Sequence, residues 1–239
     1  MKSRSLAVAA GLLSVLAVSA ATLALAQDSA APAAAPAAAP APAAAAAGPV
    51  VGSAEAGAAK AAVCSACHGV GGNSVNPEWP SLAGQHPEYT AQQLQLFRAM
   101  VRTNPIMQAQ AVALTDQDIA DLSAYYRQQT QTGLEADPSL VQAGEKLYRA
   151  GDPVRGIPGC KACHGPGGLG NGPAKWPLVR AQHSLYTYNQ LKNYANRARY
   201  VAVEGQPSPP AQAEMMYDVA SRMTDEDMRA VASFIQGLR

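Results

Sequence analysis

Aromatic side chains are scarce in this chain. Two Phe, two Trp and nine Tyr make up about 5% of 239 residues, and the 48% of hydrophobic residues is swollen by Ala. A core built from aromatic packing alone is therefore excluded. Charge is scarce as well: 15% of residues are charged, and 18 basic against 17 acidic residues leave a net +1. That balance argues against nucleic acid or any other polyanion as the main partner. The interior lacks an apolar run long enough to cross a bilayer. It also lacks the apolar–polar alternation of half-buried strands, so the expected class is all-α. Cysteine and histidine are limited to four each.

Only the N-terminus has a long apolar segment. Lys2 and Arg4 precede the run from Leu6 to Ala26, which closes on Ala24-Leu25-Ala26 before Gln27. A basic start, an apolar stretch and a small-x-small end describe a secretory signal, so residues 1–26 are expected to be a cleaved signal peptide. The alternative is an uncleaved anchor, since the run is near the length of a membrane span. Residues 27–53 are almost entirely Ala and Pro. Such a segment cannot form a continuous helix and has too few large side chains to fold, which predicts a disordered linker.

Beyond residue 54 the chain repeats. "CSACHGVGG" (Cys64 to Gly72) matches "CKACHGPGG" (Cys160 to Gly168). Trp79-Pro80 matches Trp176-Pro177, Gln85-His86 matches Gln182-His183, and Tyr89 matches Tyr186. "LTDQDIADLSAYY" from Leu114 matches "MTDEDMRAVASFI" from Met223. A period near one hundred residues is too long for a solenoid and indicates two domains of one fold. The expected boundaries are 54–133 and 134–239, joined through about Thr132 to Ser139. Tyr89, Gln93, Leu94 and Phe97 recur at helical spacing. Thr115-x-x-Asp118 and Thr224-x-x-Asp227 read as capping boxes with Asp in the Glu position. Behind them lie apolar stripes: Ile119, Leu122 and Tyr126 in one repeat, Met228, Val231, Ile235 and Leu238 in the other. Domains this small need something extra in the core.

The cysteines supply the candidate. A disulfide staple suits an exported chain but gives no reason for the His after each pair. Zinc needs four donors per ion. Thioredoxin-like chemistry needs strands that the sequence lacks. Cys-x-x-Cys-His is the attachment signature of c-type haem, and two copies predict two covalently bound haem c groups. Cys64 and Cys67, and Cys160 and Cys163, are then the thioether anchors, and His68 and His164 the proximal iron ligands. The following glycines suit either a close approach to the ring or simple turns. A Met on the opposite side raises the potential of such a haem. Met107 and Met216 each lie seven residues before the capping-box segment, so they are the expected sixth ligands, with Met215 the alternative to Met216. Met100 is expected to pack within a helix. His86 and His183 are the other candidates for a sixth ligand, through bis-His ligation. The second repeat carries a Pro-rich insertion, Arg197 to Pro210.

These motifs, together with "WPSLAGQHPEY" and "NPIMQAQAVALTDQDIADLSAYY", resemble the dihaem cytochrome c4 family over about Ala54 to Arg239. The resemblance implies a tandem pair of class-I-like cytochrome c domains with one His/Met-ligated haem each. It implies a periplasmic electron carrier rather than an enzyme, working toward a haem–copper terminal oxidase from a quinol-oxidising complex or another donor. A cytochrome subunit of a dehydrogenase and a dihaem peroxidase are the competing readings; the peroxidase needs an open iron position. The long tether and the segment Tyr148 to Gly159 depart from the pattern and leave membrane association through the N-terminus as an alternative. Residues 54–133 hold four basic and six acidic residues, and residues 140–239 hold twelve and eight. Such an asymmetry would orient encounters with different redox partners.

Overall fold

The computed structural model describes residues 50–239; the expected signal peptide and nearly all of the linker lie outside the described residues. Among the described residues all regular structure is helical, with three isolated β-bridges and no strand. In the first half, α1 (Ala54–His68), α2 (Pro87–Arg98), α3 (Pro105–Ala111) and α4 (Asp116–Arg127) follow one another. In the second half come α5 (Val141–Ala150), α6 (Lys161–His164), α7 (Ser184–Ala195), α8 (Ala211–Ala220) and α9 (Asp225–Gly237). The repeat is thus structural: α2, α3 and α4 correspond to α7, α8 and α9. No described helix is long and apolar enough to cross a membrane.

Among the helices the correspondence breaks ahead of the cysteine motif. α1 runs unbroken into the first cysteine motif, but its counterpart is split into α5 and α6. Gly151 ends α5 at φ 70°, and a Cβ there would lie 2.1 Å from the Ile157 carbonyl oxygen. Asp152 and Ile157 exchange two backbone hydrogen bonds across the resulting loop, and Pro153 and Pro158 lack the N–H needed to continue a helix. This is the physical basis of the departing segment Tyr148 to Gly159.

In each half the first helix crosses the last. α1 packs on α4 and α5 on α9, and a glycine sits at each crossing. The second-half core gathers Leu147, Tyr148 and Ile157 against Val231, Phe234 and Ile235. The first-half cluster has only Ala61, Leu122 and Tyr126 fully buried, with Cys64 and Leu82 half-buried around it. Both apolar stripes expected behind the capping boxes are buried. α2 differs in detail, since Leu96 is buried and Leu94 only half-buried. Met100 also departs from expectation: it lies past the end of α2 at φ 60° and is exposed, because the chain turns sharply there.

Both capping boxes form with Asp. In the second, Asp227 accepts from the Thr224 backbone N–H at 2.8 Å. The Arg155 guanidinium also forks onto both of its carboxylate oxygens. These contacts, Arg155 foremost, hold the Asp227 carboxyl at about 2. A depressed pKa gives stability that is complete above the unfolded value near 4 and is lost as pH falls through 2. Asp227→Asn is expected to cost about 1–2 kcal/mol at pH 7 for this surface pair. Thermal unfolding from pH 7 down to pH 2 checks this: the gap between the two proteins should close between pH 4 and 2.

Candidate functional site

The last turn of α1 carries Cys64, Cys67 and His68 at i, i+3 and i+4, which is one face of a helix. Cys160 caps α6, and Cys163 and His164 follow on it with the same spacing. All four cysteines are partly exposed, and no disulfide joins any two of them. Burial pushes the Cys64 thiol up, and pushes Cys160 up to about 11. No group of three or more His, Cys, Asp or Glu suited to a metal ion exists among the described residues.

The two histidines are oriented alike. His68 Nδ1 lies 2.9 Å from the Pro80 carbonyl oxygen, and His164 Nδ1 lies 3.0 Å from that of Pro177. A carbonyl only accepts, so each Nδ1 carries the proton and each Nε2 keeps its lone pair. Burial lowers the pKa of both rings, against the raising effect of these carbonyls. Neutral imidazoles with one nitrogen fixed and the other free are in the form that ligates iron. The repeated Trp-Pro pairs thus supply the orienting carbonyls, a role the sequence alone did not suggest.

Each motif ends in a glycine turn. Gly69 and Gly165 have φ of 75° and 78°, and Gly72 and Gly168 have 77° and 69°. The Gly72 carbonyl accepts from Leu82 and Ala83, and the Gly168 carbonyl from Val179 and Arg180. A side chain at Gly72 would strike the Tyr126 ring at 2.8 Å, so the turn holds the motif against the last helix.

Met107 lies on α3, whose first turn is capped by Asn104. Met216 lies at the equivalent place on α8 and packs, half-buried, on the second core. Met215, its neighbour on the same helix, is 47% exposed and is not part of that packed cluster.

His86 and His183 are committed elsewhere. His86 Nε2 lies 2.7 Å from the Leu169 carbonyl oxygen and His183 Nε2 lies 2.8 Å from that of Ser74, each in the opposite half. Each Nε2 must donate there, which ties the ring to the backbone of the other half. The preceding glutamines do the same: Gln85 and Gln182 each bond the backbone of the other half. The aligned Gln-His pairs were the signal of this reciprocal clamp.

Arg102 and Arg199, equivalent in the repeat, are the residues that the sequence reading missed. Both are buried where the halves meet. Arg102 donates to Gln93 at 2.8 Å and Tyr186 at 3.0 Å, and Arg199 donates to Tyr89 at 3.0 Å. The Arg102–Tyr200 bridge joins their two loops, so the second-half insertion begins at this interface. Among the described residues neither arginine pairs with a carboxylate, and Nη1 of Arg199 is buried without a partner. A buried cation of this kind calls for an anion. Haem brings carboxylates on its propionates. Thiol anchors, neutral oriented imidazoles, half-buried methionines and uncompensated arginines together fit two haem groups.

The comparisons with known proteins agree. The cytochrome c family profile matches residues 54–130 and 141–239. Cytochrome c4 of Thiocapsa roseopersicina is 46% identical over 190 residues, covering 79% of this chain and 94% of the relative. A thiosulfate dehydrogenase electron acceptor of Thiomonas intermedia (strain K12) is 36% identical, covering 74% and 78%. The crystal structure of reduced recombinant cytochrome c4 from Pseudomonas stutzeri superposes with a TM-score of 0.72 at 38% identity, covering 79% of this chain and all of that one.

Proposed function

This chain belongs to the cytochrome c family and within it to the dihaem cytochromes c4, and we propose that it is a periplasmic electron carrier of a respiratory chain. It carries two covalently bound haem c groups. Cys64 and Cys67 would hold the first, with His68 and Met107 as iron ligands. Cys160 and Cys163 would hold the second, with His164 and Met216. When bound, each iron supplies one-electron exchange between its ferrous and ferric states. The protein fixes the imidazoles through Pro80 and Pro177, and the buried arginines balance propionate charge. The observation that carries this reading is the duplication itself: every part of one site has its counterpart in the other. With a His and a Met both engaged by each iron, the chain would act as a carrier and not as an enzyme.

Residues 1–26 serve as the export signal and 27–53 as the tether, with the two haem domains spanning 54–133 and 134–239. The donor is a quinol-oxidising complex or another reductant, and the acceptor a haem–copper terminal oxidase. The basic excess of the second half directs it to a different partner from the first. A second reading is the electron-accepting cytochrome of a dehydrogenase, favoured by the name of the Thiomonas relative. Low-temperature electron paramagnetic resonance of the oxidised protein tests the ligation. Two low-spin His/Met signals are expected; a high-spin signal from one haem would move the peroxidase reading ahead. Oxidation of the reduced protein by oxidase-containing membranes, against reduction by a purified dehydrogenase, separates the two carrier readings.

A further inference from the structure

The Gln clamp acts on a particular peptide. The carbonyl that accepts from His68 Nδ1 belongs to the Pro80–Ser81 peptide, and the N–H of that same peptide donates to Gln182 Oε1 at 2.9 Å. In the other half the Pro177–Leu178 peptide accepts from His164 Nδ1 and donates to Gln85 Oε1 at 3.0 Å. Each glutamine closes the pair by donating from Nε2 to the next carbonyl, Ser81 or Leu178, at 2.9 Å. An unbroken chain of bonds therefore runs from each histidine, through one peptide unit, to an amide of the opposite domain. Gln85 is itself buried, and both pairs lie between the domains, where hydrogen bonds polarise one another most strongly.

We infer that Gln85 and Gln182 are positioning residues, each tuning the haem of the other domain; this rests on His68 and His164 being the axial ligands. An acceptor on the peptide N–H shifts electron density onto its carbonyl. The carbonyl then draws harder on the Nδ1 proton, and the imidazole becomes a stronger donor to iron. A stronger donor favours the ferric state and lowers the potential. The crossing of the chains means that domain docking, and not only the local pocket, sets each potential.

The test uses the full-length haem-loaded protein, with the two potentials resolved by redox titration and assigned by paramagnetic NMR. Gln182→Leu is expected to raise the potential of the haem on Cys64 and Cys67, shifting its redox equilibrium three- to tenfold, or about 30–60 mV, and to leave the other haem in place. Gln85→Leu is expected to do the reverse. Gln182→Glu keeps an oxygen acceptor and adds charge, so it is expected to lower the first potential, and the His68 Nδ1–H resonance should move in both Gln182 variants. His183→Ala removes a clamp bond that does not touch either peptide, and its two potentials are expected to stay together with the wild type. If the domain's own haem moves, or both haems shift equally, or neither shifts while the low-spin spectra persist, the inference is overturned. If the wild-type protein lacks low-spin His/Met spectra, the ligand reading itself fails, which is a separate result.

Discussion

Met216→Leu is expected to leave the second haem attached but to strip its iron of one axial ligand, while Met215→Leu changes nothing. The two side chains are neighbours on α8, yet only Met216 packs against the core that surrounds Cys160. Leu has similar volume and apolarity, so the exchange should cost little in packing, below about 1.5 kcal/mol. What it removes is the thioether sulfur. Axial ligand identity moves haem potentials over a range of about 0.8 V. Losing a Met that raises the potential should therefore lower it by on the order of 0.2 V. Part of the ferric protein should become high-spin at the same time. Met107→Leu is expected to do the same to the first haem alone. Optical and resonance spectra with a redox titration check all three variants. An unchanged Met216→Leu protein beside a high-spin Met215→Leu protein would reverse the assignment.

The largest effect on folding is expected at the two helix crossings. A Cβ on Gly144 would lie 2.2 Å from the Ala230 carbonyl oxygen and 2.7 Å from the Phe234 Cβ. On Gly57 it would lie 2.1 Å from the Asp121 carbonyl oxygen and 2.8 Å from the Tyr125 Cβ. Backbone atoms are the obstacle, so the helices must part rather than a side chain swing away. Two effects oppose one another at these positions. Intrinsic propensity favours Ala over Gly in a helix by about 1 kcal/mol. Forcing the crossing apart costs about 3 kcal/mol or more, because the whole α5–α9 contact loosens. The steric cost wins, and Gly144→Ala should destabilise; Gly144→Val should do so more. For a domain of this size the melting temperature should fall by roughly 10–20 °C. Calorimetry of the haem-loaded protein checks it. A Gly144→Ala protein that melts at or above wild type would mean that the helices do not cross this closely.

Much of the molecule was written in short-range pattern. The capping boxes and the stripes behind them are i, i+3 and i+4 relations within one helix, and local geometry settles those. The Cys-x-x-Cys-His motif is also local, since it occupies one helical turn. The repeat makes up for missing long-range information: whatever stands equivalently in both halves, such as the two Cys-x-x-Cys-His motifs and the two Thr-x-x-Asp boxes, can be picked out from the chain alone. Met100 lies outside its expected helix because the chain takes a positive φ just past Arg98, and nothing in the Met side chain signals that.

What the chain order could not decide was which groups meet across the molecule. Gln85-His86 and Gln182-His183 stand out as a repeated pair, but their partners lie about a hundred residues away and are backbone atoms, which carry no sequence signature. The same holds for Gly57 and Gly144, whose need to be glycine comes from a carbonyl on a distant helix. Arg102 and Arg199 look like ordinary surface charges until packing buries them beside four tyrosines and no acid. The cofactor and the helices that present its motifs were legible in chain order, because each rests on residues within a turn or two. How the two halves hold one another emerged only from packing, because hydrogen bonds to distant backbone and close helix crossings depend on position in space and not on neighbours in the chain.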